Sequence, residues 1–296
     1  MIRLAVRVGS EQAEIVLAEL LELAPAGVEE VQVEAGMVEY AVYGAAGELP
    51  SLPDLRAVAG DALVEISTSE LADDWQERWK QFHRPILLES PAVRDGERAV
   101  PALHVRPPWE APNTDSDGSV REIVIDPGQA FGTGAHASTR MCLELLMELA
   151  TCESRGALLD VGTGSGVLAI AAAGLGFEPV LGLDHERESV QAARANAAVN
   201  RVDIEFSGFD LRTQALPWLA GSDTPVAPIV VLANLLRPLL LELASTMTAT
   251  PAHLIASGLL REEVEEVVGA FGERLGLRER ERRASGEWAA VWLEAS

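Results

Sequence analysis

Leu158-Leu159-Asp160-Val161-Gly162-Thr163-Gly164-Ser165-Gly166, running on into the apolar segment Val167 to Ala173, sets the architecture of this chain. An apolar run, a glycine loop and a stretch of helix formers describe strand, turn and helix in that order. Glycines in such a turn let a ligand touch the backbone, because no Cβ stands in the way. The helix that follows aims its free N–H groups and positive dipole end at the same place. Asp184 closes the next strand-like run, Val180-Leu181-Gly182-Leu183, 18 residues after Gly166. A carboxylate there can accept both hydroxyls of a ribose. The spacing is G-x-G-x-G, not the G-x-G-x-x-G that accommodates a pyrophosphate. Asp160, two residues before the first glycine, opposes a pyrophosphate but suits a ligand with a cationic amino group and a sulfonium. The pair favours S-adenosylmethionine over NAD.

Outward from the loop, helices are predicted near 138–150, 166–175, 187–199, 238–248 and 260–271. Strands are predicted at Ala157–Val161, Pro179–Leu183, Asp203–Phe206, Ile229–Leu232 and His253–Ala256, with two more at Leu275–Glu281 and Trp288–Leu293. Five strands alternating with helices, then two without a helix between them, imply a doubly wound, seven-stranded, Rossmann-like α/β sheet ending in an antiparallel hairpin. The N-terminal residues follow another order: strand Leu4–Val8, helix Glu11–Leu23, strands Val28–Glu34 and Met37–Tyr43, a short helix at Leu52–Ala59, and strand Ala62–Ser67. That β-α-β-β-α-β order is ferredoxin-like α+β, and it carries no catalytic signature, which suits a recognition domain. Between the two lie a short helix with Trp75, Trp79 and Phe82 on one face and a Pro-, Gly-, Asp- and Ser-rich stretch over 89–119. The expected division is a recognition domain over 1–67, a linker helix and loops over 68–119, and a cofactor-binding domain over 120–296.

Two further segments point at the same crevice. Asp126 to Arg140 packs Gly128, Phe131, Gly132 and Gly134 ahead of a helix, more than a helix cap by Ser138 or Thr139 requires. A loop folding over a bound ligand explains more of it. In Val230-Val231-Leu232-Ala233-Asn234-Leu235-Leu236-Arg237-Pro238, Asn234 ends the fourth strand, where its side chain and the neighbouring carbonyls can accept hydrogen bonds from an amine. The plainer alternative is that Asn234 caps the helix beginning near Pro238.

Composition narrows the partners. With 48% apolar residues the chain is globular, and no apolar run reaches the roughly 18 residues that span a bilayer. The N-terminus lacks a signal-peptide pattern, so a cytoplasmic location is expected. Cys142 and Cys152 have no ligand-like spacing, and the five histidines are scattered, so neither a disulfide framework nor a metal site is expected. The net charge is −23, and residues 1–70 alone hold 13 acidic and 3 basic residues. That field either repels nucleic acid and anionic membranes and attracts a basic partner, or is a solvated acidic surface that only aids solubility.

These residues together resemble the ribosomal protein L11 methyltransferase family over nearly the whole chain. The resemblance rests on the ferredoxin-like N-terminus, the Trp75–Trp79–Lys80–Phe82 helix, and Asp126 to Thr139 with its Phe-Gly-Thr-Gly-x-His core. It continues through Asp160–Gly166, Asp184, Ala233-Asn234-Leu235, Ser257-Gly258-Leu259 and Gly286-Glu287-Trp288. It implies a methyltransferase that uses S-adenosylmethionine to modify amino groups, lysine side chains or an α-amino group, of ribosomal protein L11. It further implies cofactor contacts from Thr139, Gly162, Asp184 and Asn234; loop geometry adds Gly164, Gly166 and Phe131. Asn234 is the expected catalytic residue, orienting the acceptor amine, with His136 a lesser candidate as a base. The enzyme is expected to act as a monomer, to grip the basic L11 with its N-terminal domain, and to need no metal. Three positions depart from the family pattern: His185-Glu186 after the ribose carboxylate, Ala227-Pro228 before the fourth strand, and Ser138 ahead of Thr139.

Overall fold

In a computed structural model, the chain is described at residues 2–9, 13, 16, 20, 29–34, 36–44, 49–50, 55, 63–70, 84–94, 96–113, 118–126, 136–152, 155–217 and 230–295. It divides into two compact units, Met1–Phe82 and His83–Ser296. The boundary therefore falls well before the expected 119/120. Residues 83–119 belong to the second unit because they supply strands to it. The expected Trp75–Phe82 helix, Phe131 and Ala227-Pro228 lie outside the described residues.

The first unit is built on four strands, β1 (Ile2–Gly9), β2 (Glu29–Glu34), β3 (Met37–Gly44) and β4 (Leu63–Glu70). They run antiparallel in the order β2-β3-β1-β4, the sheet of a ferredoxin-like fold. Alternation assigns the faces. Leu4, Val6, Val8, Val38 and Tyr40 are buried in one core with Ala13, Val16, Leu20 and Leu55, four described residues of the expected helices. On the opposite face Glu39 accepts from Arg3 at 2.5 Å and Arg7 at 2.6 Å, and Arg7 also reaches Glu65 at 2.9 Å. The Arg3 and Arg7 guanidiniums hold the Glu39 carboxyl below the usual carboxylate range.

The second unit begins with β5 (Ile86–Leu88), β6 (Ala102–Arg106) and β7 (Val120–Val124), a three-stranded sheet in that order. After it come α1 (Ala137–Cys152), β8 (Leu158–Val161), α2 (Val167–Gly174), β9 (Val180–Asp184), α3 (Arg187–Asn200) and β10 (Glu205–Gly208). The chain closes with β11 (Val230–Asn234), α4 (Arg237–Thr246), β12 (His253–Leu260), α5 (Val264–Leu275), β13 (Leu277–Ser285) and β14 (Trp288–Ala295). Strands β8 to β14 form one sheet in the order β10-β9-β8-β11-β12-β14-β13. The first five are parallel; β14 enters antiparallel between β12 and β13.

β8 and β9 are buried at every residue, as strands covered on both faces must be. Leu158, Val230, Leu232 and Ile255 share a core with α1, α2 and α3. Leu159, Val161, Val231 and Leu254 share the other with α4 and α5. The two cores are the two sides of a doubly wound sheet, as the alternating pattern implies. Among the described residues no helix is long and apolar enough to cross a membrane.

Candidate active site

Chain direction across the large sheet reverses between β8 and β11, which lie side by side. In an open parallel sheet, the crevice beyond the C-terminal ends of such a pair is where ligands bind. The glycine loop leaves β8 at that point and Asn234 ends β11 there. The amides of Gly162 and Thr163 both donate to the Leu183 carbonyl, at 2.8 and 2.9 Å, and so tie the loop to β9. Asp184 accepts from the Gly164 amide at 2.9 Å and the Glu186 amide at 3.0 Å. Each of its carboxylate oxygens is fixed in direction while keeping acceptor capacity for a ligand.

Two of the glycines have packing reasons visible in the structure. A Cβ on Gly166, which has φ 83°, would lie 3.0 Å from the Ala193 Cβ of α3. A Cβ on Gly162 would lie 2.4 Å from Leu235 Cδ2, so the Leu235 side chain rests directly on the loop. Leu235 is itself fixed from behind. Its amide donates to the Ser257 carbonyl at 3.0 Å, and a Cβ on Gly258, at φ 82°, would meet the Leu235 carbonyl oxygen at 2.5 Å. Only glycine fits at 258.

Asp160 does not face the open crevice. It is fully buried and accepts from the Thr163 hydroxyl at 2.7 Å, bracing the loop from beneath. Burial pushes its carboxyl up to about 7, against the Thr163 hydroxyl, which favours the charged form. Its other oxygen, Oδ1, is buried without a hydrogen-bond partner.

Thr139 and Asn234, distant in sequence, meet: Asn234 Nδ2 donates to Thr139 Oγ1 at 3.2 Å, and Thr139 is fully buried. The cap position of α4 is taken by Leu236, with no side-chain hydrogen bond. Asn234 is therefore not the cap of that helix. Its Oδ1 is buried and has no hydrogen-bond partner, a costly state for an amide oxygen unless a ligand supplies the donor. His136 Nδ1 accepts from the Ser138 amide at 3.3 Å and lies 2.7 Å from the Ser138 hydroxyl. Its carbonyl accepts the Arg140 amide at 3.0 Å. His136 thus caps α1, its ring edge-on to Trp288 at 4.8 Å. Burial holds its pKa below the ordinary value.

A cavity of about 160 Å³ opens beside the loop, lined among others by Gly162, Leu183, Asp184, Phe209, Leu211 and Leu239. Apolar side chains together with the carboxylates of Asp184 and Asp210 line it, which suits a flat heterocycle joined to a diol. Phe209 and Leu211 carry no sequence motif and were not among the expected residues. Nor was Asn196, whose buried amide joins the loop to Asp126; its signal is an Asn repeated at 196 and 200, one helical turn apart on an alanine-rich helix that Asn does not favour. Phe131, with the rest of 127–135, falls outside the described residues. Among the described residues no group of three or more His, Cys, Asp or Glu can hold a metal ion.

Comparison with known proteins agrees with this geometry. A family model described as ribosomal protein L11 methyltransferase matches residues 8–295. A ribosomal protein L11 methyltransferase of Geotalea uraniireducens is 37% identical over 237 residues, covering 74% of this chain and 67% of its own length. That of Syntrophotalea carbinolica is 40% identical over 246 residues, with 82% and 71% covered. A crystal structure of ribosomal protein L11 methylase from Lactobacillus delbrueckii subsp. bulgaricus superimposes with a TM-score of 0.54 at 28% identity, over 70% of this chain and 99% of that one.

Proposed function

Because the chain belongs to the ribosomal protein L11 methyltransferase family, we propose that it moves methyl groups from S-adenosylmethionine to amino groups, lysine ε-amines or an α-amine, of L11. It is an S-adenosylmethionine-dependent methyltransferase. The residues of the crevice fit that cofactor. Asp184 offers fixed acceptors for ribose hydroxyls, and the Phe209–Leu211 wall suits an adenine. Thr139 and Asn234 border the end where an amine must arrive. When bound, the cofactor supplies a methyl group on a positively charged sulfur, which a neutral amine can accept.

The chain's own task is to bring that amine in neutral and aligned. A lysine amine of ordinary pKa about 10.4 must lose a proton, which at pH 7 costs about 4.6 kcal/mol. The buried, unpartnered Oδ1 of Asn234 carries this reading. It accepts an N–H from the incoming amine and so fixes the lone pair's direction. Thr139, holding Nδ2, keeps the amide from turning over. His136 is occupied as a helix cap, which supports proton loss to water over a base at that position. The N-terminal unit, with its acidic excess, captures the basic substrate.

Asn234→Ala tests the assignment. Turnover on L11 should fall by two orders of magnitude or more, while calorimetric affinity for S-adenosylhomocysteine falls less than tenfold. Equal losses in both would reduce Asn234 to a cofactor contact. Mass spectrometry of L11 after reaction with the intact enzyme identifies the amino groups, and an unmodified L11 would refute the substrate.

A further inference from the structure

Asn196 lies on α3, 2% exposed, with every polar position of its amide engaged. Its Nδ2 donates to the Ser165 carbonyl at 2.9 Å and to the Asp126 carbonyl at 3.3 Å; its Oδ1 accepts the Asp126 amide at 2.9 Å. One turn later Asn200 accepts the Val124 amide at 2.8 Å and donates to the Val124 carbonyl at 2.7 Å and to the Asn196 carbonyl of its own helix at 2.8 Å. Both asparagines dock the end of β7 on α3, as a neighbouring strand would. Only Asn196 also grips the glycine loop. Ser165 follows Gly164, whose amide fixes Asp184, and Asp126 opens the segment that ends 13 residues later at Thr139. One buried side chain therefore ties the glycine loop to the residue just past the end of β7.

We propose that Asn196 is a positioning residue that sets the separation between the glycine loop and Asp126 just past the end of β7, and with it the affinity of the cofactor site. The inference rests on the assignment of S-adenosylmethionine to this crevice. An amide is needed there because one planar group must donate to two carbonyls and accept from one amide. A carboxylate keeps the acceptor and sets an oxygen against both carbonyls. A residue that only stiffened the β7–α3 contact would be matched in effect by Asn200.

Asn196→Asp and Asn200→Asp are compared in the full-length chain by thermal melting without ligand and by calorimetric titration with S-adenosylhomocysteine. Asn196→Asp should weaken binding tenfold or more, and Asn200→Asp less than twofold, at comparable losses of melting temperature. Should Asn196→Asp fail to fold, Asn196→Ala and Asn200→Ala are compared on the same measure, with at least fivefold weakening expected for the first alone. Binding by the Asn196 variant within twofold of the unmodified chain, or equal weakening in both variants, overturns the proposal. An unmodified chain that does not bind S-adenosylhomocysteine overturns the cofactor assignment as well.

Discussion

Asp160 is fully buried beneath the glycine loop, and burial pushes its carboxyl from an ordinary 3.8 up to about 7. In the unfolded chain the group ionises near 3.8; in the folded chain it keeps its proton to about 7. Between those values the folded state binds the extra proton, so this residue's contribution to stability falls as pH rises through the window and is level above it. The full difference is about 4 kcal/mol. Asn at 160 can still accept from Thr163 but does not ionise. The melting temperature of Asp160→Asn relative to the unmodified chain should therefore climb from pH 4 to 7 and then level off. Parallel melting curves across that range would show that the group ionises freely. The sequence marks Asp160 as belonging to the loop, but not which way it points. Burial depends on α1 and the strands packed around it, and no local pattern carries that.

At the scale of elements, the buttress behind the crevice is β12, whose Gly258 leaves room for the Leu235 backbone. A methyl group added there meets the Leu235 carbonyl oxygen at 2.5 Å while φ stays at 82°. Gly258→Ala should cost about 3 kcal/mol or more, from strain and clash together. Leu235 and Asn234 move with it. Thermal melting and turnover check this: both must drop, and an unaltered melting temperature would mean the backbone yields at no cost. The large sheet was legible in the sequence because its strands and helices differ in period, and all seven expected strands are present. β5 and β6 were harder to read. They are short and sit among prolines; β5 is held by β6, and β6 by β7, which α3 side chains fix in turn through contacts remote in sequence. Asn234 was legible at the end of its strand; its bond to Thr139, 95 residues away, was not.

For the whole molecule, charge is the property that composition reveals most directly. The first 70 residues hold 13 acidic and 3 basic side chains, and two of those basic ones, Arg3 and Arg7, are already engaged by Glu39. Attraction of a basic substrate to such a unit is screened over about 8 Å at physiological salt. The KM for L11 should rise several-fold between roughly 0.05 and 0.3 M salt with kcat nearly constant, as expected of a term acting on encounter. A salt-independent KM would place recognition in apolar contacts instead. The division into two units was readable from the change of pattern, but its border was not, since residues 83–119 join the second unit by packing. β7 is an outer strand, yet the amides of Val124 and Asp126 donate to asparagine side chains rather than to water. Their hydrogens should exchange with deuterium slowly for a sheet margin, and only when α3 lifts away. These two amides become timers of that separation, so a ligand that clamps the crevice would slow Asp126 more than Val124.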